Sequence, residues 1–579
     1  MNYSLNAYAQ PLTVSQAAHL LRRATFGPSQ SNITAFTGVS STLAIQTLID
    51  NIALNPTPLP VDLDSTKTTA GQSYINFVYD SNRNSDFRFY YKYWWLNIMA
   101  TQNNNPSILD KLTLFWQNHF VTTGEVVDEY RAVYKYFTLI RNGVLGNFKD
   151  FARNITYDPA MLKYLNGNEN IKTSPNLNYA RELQELFVVG AKDFAGNSNY
   201  TEADVQAAAR VLTGWRHQNM ASTTSTSINS YFTLSRHDTN PKIFSQANYP
   251  DPVNPSLGTT INTPASVPMG YNNVGEFEID ELLSMLFRHP ETPKFICRKL
   301  YRFFVNPNVT QDIETNVIIP LANLFKSIDP TTGKTFEIKP VLMTLLASEH
   351  FYDVGNIGAI IKSPAEFIVG SLKFFNFPVP TIDSGNLANS IKNHRAYADL
   401  IYNGISPNYA GVNNMQMSIL DQPSVFGYDA YYQTGYSRNW INATQVGLRN
   451  SFTDRLLLGR TLVSGITPLV NIKIDMLAMV DTANPAHNPT IPLPPNYDVT
   501  NCVHIVDLVT MNFFATELSA NQKTFLIDTI LMINQQRSNW TTQWASYKSN
   551  PTTNNINTVK SKLDALMKYL LRMAEYNIC

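Results

Sequence analysis

The chain of 579 residues carries 44 basic and 44 acidic side chains, so no global field draws it to nucleic acid or to an anionic membrane. Only 15% of residues are charged, against 44% hydrophobic; an average soluble protein has roughly 25% charged. No run of about eighteen apolar residues exists, so no membrane span is expected. Three scattered cysteines, Cys297, Cys502 and Cys579, exclude a disulfide framework and a Cys-based zinc site.

Met1-Asn-Tyr-Ser-Leu-Asn6 lacks a basic n-region and an apolar h-region. That leaves either no export by that route or numbering that starts after a removed signal. Ser15 is placed to N-cap a helix running to about Phe26, stopped by Gly27-Pro28. On it Ala17, Leu20, Leu21 and Ala24 oppose a face of His19, Arg22, Arg23 and Phe26. Ser107 opens a helix through Leu112, Phe115 and Trp116 to Phe120, with Asp110 at the capping-box position. His119 lies on its apolar face.

Asn178 to Gly190 reads as one helix at about 100° per residue. Tyr179, Leu183, Leu186, Phe187 and Val189 then share an apolar arc that contains Glu182 and has Glu185 at its edge, one turn from Arg181. Burying an ionised carboxylate alone is costly, so Glu182 calls for a cationic or hydrogen-bonding neighbour. Thr201 and Asp204 form a capping box ahead of a helix ending at Gly214-Trp215. Further helical periodicity covers 291–304, which contains Cys297 as a small buried hydrophobe, and 339–350, 363–375, 521–534 and 558–576.

Three stretches interrupt the helices. Residues 218–275 are rich in Ser, Thr, Asn and Pro with a short strand near 230–234; 422–439 is Tyr/Gly-rich; 485–497 is Pro-rich. The expected fold is mainly α, a multi-helical globular protein with long irregular polar loops and at most short strands. Its parts are 1–217 with the main motifs, 218–275 as an insertion or lid, 276–484, and 485–579 as a strap with C-terminal helices.

Several segments together carry a resemblance. They are Ala18-His-Leu-Leu-Arg-Arg-Ala-Thr-Phe-Gly-Pro28, Phe115-Trp-Gln-Asn-His-Phe120, the 178–190 and 201–215 blocks, and His237-Asp-Thr-Asn-Pro-Lys242. Phe295-Ile-Cys-Arg-Lys-Leu300, Ser348-Glu-His-Phe-Tyr-Asp353 and Lys362-Ser-Pro364 complete the set. In this order they resemble the bacterial family catalogued as domain of unknown function 1800. The resemblance implies a largely helical protein, and a sulfatase-like protein of a neighbouring uncharacterised family as its partner; it brings no reaction with it. The chain departs from the family pattern at Gln117 and Leu177, where members often have His and Glu, and at Phe187, where those members with a His after the Glu-Leu pair carry it. Each departure removes a ligand or proton carrier and argues against a metal centre.

The residues leave two readings open. In the first, an extracytoplasmic or secreted enzyme acts on an acidic or sulfated glycan or similar envelope polymer. Glu182 is its raised-pKa acid/base, and His119 and the His237-Asp238 pair move protons. His19, Arg22, Arg23, Arg181, Glu185, Lys242 and Trp215 contact substrate, the arginines matching an oxyanion bidentately. Exposed faces of Tyr428, Tyr431, Tyr432, Tyr436 and Trp440 would stack on sugar rings or meet a partner protein. In the second, the protein is a non-catalytic binding or assembly protein and the same charges hold the fold, Arg22 or Arg23 neutralising Glu182 or Glu185. Asp238 would then cap a turn and Lys242 would be solvated. There is no nucleophile elbow, phosphate-cradling glycine loop or Cys/His pair, so no cofactor and no metal are expected. The uncharged composition points outside the cytoplasm, and a cytoplasmic address is left open.

Overall fold

Helices dominate because the 3.6-residue apolar period and the capping residues coincide along most of the chain. The computed structural model describes residues 1–54, 56–101, 105–404, 410–433, 436–462 and 471–579. Helix α1 (Val14–Ala24) is capped by Thr13 rather than Ser15; the Thr13 hydroxyl accepts from Gln16 N, and Gln16 Oε1 accepts from Thr13 N at 3.0 Å. Every residue from Ala17 to Ala24 is buried, so the expected polar face of α1 is turned inward with the rest. Gly27 has φ +98°, and a Cβ there would lie 2.8 Å from Gly370 Cα. Only glycine allows that turn and that approach.

Helix α2 (Leu109–His119) is buried throughout. Asp110 does not cap it; the carboxylate accepts from Trp95 Nε1 at 3.0 Å and pairs with Arg141, while Ser107 Oγ accepts from Leu109 N. Helix α3 (Asn178–Glu182) passes directly into a π-helical turn, Leu183–Val188. Helix α4 (Glu202–Val211) carries the expected Thr201/Asp204 capping box. It stops short of Trp215, which opens β1 (Trp215–Gln218); β1 pairs antiparallel with β2 (Asn229–Phe232), Trp215 opposite Phe232. A second short pair joins β3 (Lys242–Ile243) to β4 (Thr260–Ile261).

Helices α5 (Val274–Arg288) and α6 (Glu291–Phe304) pack on the π-turn, and α4 packs on both α3 and α5. Then come α7 (Ile338–Ala347), α8 (Pro364–Phe374), α9 (Cys502–Phe513) and α10 (Thr553–Arg572). The 521–534 period is realised as Ala520–Phe525 continuing into a further π-turn, Leu526–Leu531. One buried apolar cluster runs from Leu12 to Tyr576, and all three cysteines are buried and free. Among the described residues no helix is long and apolar enough to cross a membrane.

Candidate functional site

The 178–190 segment is not a single α-helix. At its end Val189 N donates to Gln184 O, five residues back, at 3.1 Å, and the wider turn rotates the residues that follow it. Leu183, Gln184, Phe187 and Val188 face inward, whereas Glu182, Glu185 and Leu186 are only half-buried. The buried polar group on this stripe is Gln184. Its Nε2 donates to Ala180 O at 3.2 Å and its Oε1 accepts from Tyr249 OH at 2.9 Å. The buried stripe runs through Ala180, Leu183, Gln184, Phe187 and Val188 and leaves Glu182 outside it, so the expected counter-charge for Glu182 is not required.

Glu182 has no hydrogen-bond or ion-pair partner among the described residues. Partial burial, then the neighbouring Glu185 charge, raise its pKa to about 7, with Arg181 opposing weakly. Arg181 is engaged elsewhere, donating to both oxygens of Glu202 at 2.8 and 2.9 Å. Glu185 accepts from Tyr200 OH. Tyr164 lies close enough for its phenol to feel the Glu182 charge. Two carboxylates and two phenols thus sit together on the outer side of the π-turn, and burial with the Glu185 charge keeps the Glu182 acid protonated closer to neutrality than an ordinary carboxyl.

His119 lies on the inner side of the same turn. Its Nε2 donates to Phe187 O at 2.9 Å and its Nδ1 accepts from Lys299 Nζ at 3.0 Å. Lys299 Nζ also donates to Leu186 O at 3.1 Å and sits 4.5 Å from the Tyr432 ring centroid. The carbonyls at the end of the π-turn have no partner within it, so a cation from α6 and an imidazole from α2 satisfy them. Burial, then Lys299, push the His119 pKa well below its ordinary value. Burial brings Lys299 down to about 7.

His237 belongs to a different cluster. Its ring nitrogens face Thr213 O at 2.9 Å and Glu278 Oε1 at 3.0 Å. Lys242 Nζ donates to Glu278 Oε2 at 2.6 Å and to Thr263 Oγ1 at 2.9 Å, and Thr263 Oγ1 in turn donates to Glu278. The side chains of His237, Lys242 and Glu278 are fully enclosed. The carboxylate that orients His237 is thus Glu278, not Asp238, and Lys242 is buried rather than solvated. Asp238 accepts from Arg210 Nε at 2.6 Å and from Asn240 N at 2.9 Å. Burial opposes its charge, but Arg210 and Asn240 outweigh that and hold it down to about 2.

The first-helix residues serve other partners. Arg22 donates to Phe514 O at 3.1 Å and Asn512 O at 2.8 Å, closing the C-terminal end of α9. Arg23 donates to Asn356 O at 2.7 Å, and His19 Nε2 lies 3.2 Å from Phe351 O. Neither arginine neutralises Glu182 or Glu185. Trp215 is buried and stacks on Tyr157 at 5.1 Å. Tyr428, Tyr431, Tyr432 and Trp440 are buried too, Tyr432 OH donating to Phe115 O at 2.8 Å. They offer no exposed face for a sugar ring; the Tyr436 side chain lies outside the described residues. Gln117 is buried against Gln422.

His119, Glu182 and His237 therefore do not converge, and none of them lines the four cavities found among the described residues. Among the described residues no group of three His, Cys, Asp or Glu side chains is placed to hold a metal ion. Glu278 and Lys299 escaped the sequence reading although the signal was present. Glu278 stands with Gly275, Leu282 and Met285 on the buried stripe of α5, and Lys299 with Ile296 and Phe303 on that of α6. The rule that singled out Glu182 finds a better case at Glu278.

The fold and the site define a mainly α-helical protein in which most of the singled-out charges are matched internally, and an acidic cluster is left open on a π-turn. A family model described as "Protein of unknown function (DUF1800)" matches residues 19–578, and the chain belongs to that family. No curated protein and no solved structure matches it.

Proposed function

We propose that this protein is an acid–base enzyme acting outside the cytoplasm on an acidic or sulfated glycan or a similar envelope polymer, with Glu182 as proton donor. The observation that carries this reading is the half-buried Glu182 carboxyl, without a hydrogen-bond or ion-pair partner among the described residues, whose pKa burial and the Glu185 charge push up to about 7. A carboxylic acid still protonated near neutral pH can protonate a leaving-group oxygen. Glu185 stands beside it as a second carboxylate, held by Tyr200, and can draw the proton from an attacking water as the glycosidic C–O bond breaks. The low-charge composition supports the extracytoplasmic address, and the resemblance supports a sulfatase-like partner.

The test is incubation of the purified protein with sulfated and uronate-containing polysaccharides, scored by new reducing ends. Activity should decline as pH rises through about 7, where Glu182 loses its proton, and Glu182→Gln should abolish turnover while the protein stays folded. Turnover that survives in Glu182→Gln would remove Glu182 from the chemistry.

A second reading, a non-catalytic assembly protein, is favoured by the enclosed pairs. Glu278 binds Lys242 and His237, Arg298 lies between Glu291 and Glu314, and Lys111 pairs with Glu366. It predicts no turnover on any polymer, together with retention of a partner protein on a column of the immobilised chain.

A further inference from the structure

Between the start of the helix Gln30–Phe36, the end of α8, residues 473–479 and the Pro-rich segment 485–497 lies a cavity of about 240 Å³. We propose that it binds one neutral pyranose ring, a carbohydrate subsite separate from the Glu182 cluster and independent of any role for it.

The cavity is held open by hydrogen bonds that pin the Pro-rich segment. Thr34 Oγ1 donates to Thr490 O at 2.7 Å, Asn512 Nδ2 to Pro492 O at 3.0 Å, and Asn488 Nδ2 to Gln30 Oε1 at 3.1 Å. A ligand entering it therefore spends little on ordering the wall. The volume falls below the roughly 300 Å³ at which clefts for drug-sized ligands begin, so it takes a single ring.

The wall joins polar groups with unused bonding capacity to an apolar patch. Gln30 is only 5% exposed; Asn488 occupies its Oε1, and its Nε2 has no acceptor among the described residues. Asp475 caps the helix Met476–Val480, its Oδ1 accepting from Leu477 N at 3.0 Å and Ala478 N at 3.2 Å. The other Asp475 oxygen, the Asn376 side-chain amide and Lys473 Nζ have no partner among the described residues. Beside them Phe375, Met479 and Ile491 supply the carbon surface.

The chemistry of this wall selects the ligand by elimination. An apolar guest would strip water from these donors and acceptors and replace it with nothing. An ion would meet a like charge, because Lys473 and Asp475 are the ionisable groups of the wall and carry opposite signs. A zwitterion would match those two and leave the Gln30 and Asn376 amides unpaired. A pyranose offers hydroxyls to every one of these groups, each able to donate and to accept, and can lay its C–H face on Phe375.

Saturation-transfer NMR on the full chain, with the methyl glycosides of glucose, galactose and mannose, tests this. Transfer to at least one of them is expected, with binding about fivefold weaker in Asn376→Gly and in Lys473→Met. Asn376 sits at φ +55°, a conformation glycine takes without strain, so that variant removes the amide and keeps the turn. Lys473→Met keeps the stem that packs against Gly459. No transfer to any of the three glycosides, or binding that either variant leaves unchanged, would overturn the proposal. So would methyl glucuronide or leucine binding more tightly than every neutral glycoside, since the wall would then select charge. In crystals soaked with the glycoside that binds, the ring should lie within hydrogen-bond distance of Gln30 and Asp475; a ring seated elsewhere counts against the site.

Discussion

Replacing Glu182 with Gln should stabilise the protein above pH 7 and leave it nearly unchanged at pH 4. The folded-state pKa of Glu182 is raised to about 7 from the ordinary 4.5. Between those values the folded chain keeps a proton that the unfolded chain has released. Stability therefore falls as pH rises from about 4.5 to about 7 and stays lower above it. A shift of this size corresponds to about 3 kcal/mol at most. Half-burial lets solvent screen much of it, which leaves about 1–2 kcal/mol. Glutamine is neutral at every pH and removes the loss. In a chain this long the gain appears as a rise of about 1–2 °C in melting temperature, measured by scanning calorimetry at pH 8 and pH 4. An equal midpoint at both pH values would show that the carboxylate carries no uncompensated charge. A fall of many degrees would show that it holds the fold. A gain in stability joined to a loss of turnover is what an acid kept for chemistry should give.

Glu278→Gln should lower the free energy of unfolding by about 3–5 kcal/mol, because it leaves Lys242 enclosed without its carboxylate. Urea denaturation checks this, and the double variant with Lys242→Met should recover most of the loss; a single-variant loss below about 1 kcal/mol would contradict the buried-pair account. Gly27→Ala should cost at least about 2 kcal/mol by the same measurement. The new Cβ would lie 2.8 Å from Gly370 Cα at φ +98°, and a neutral result would mean the two chain segments are free to separate.

The helical class, most of the elements and several caps were legible in the chain. Glu291–Phe304 forms over the residues its period marks, and the Thr201/Asp204 box caps α4 as read. Helical hydrogen bonds and caps join residues three or four apart, so a local pattern contains them. The inner and outer sides of residues 178–190 were not legible. The buried positions Ala180, Leu183, Gln184, Phe187 and Val188 keep a helical spacing of i, i+3, i+4, i+7 and i+8, but an arc drawn on apolar letters alone takes in Leu186 and passes over Gln184, which turns Glu182 inward on paper.

Pairing was hidden for a different reason. Lys299 meets His119 across 180 positions and Lys242 meets Glu278 across 36. Nothing local distinguishes the carboxylate that a cation will find from the others along the chain. Arg22 was the least accessible case, because its acceptors are backbone carbonyls that every residue possesses and no residue type announces. Composition and period thus determined which segments coil and which side chains must be accounted for. The packing of distant segments alone decided which of those charges are silenced in the interior and which, like Glu182, stay half-buried with no partner among the described residues.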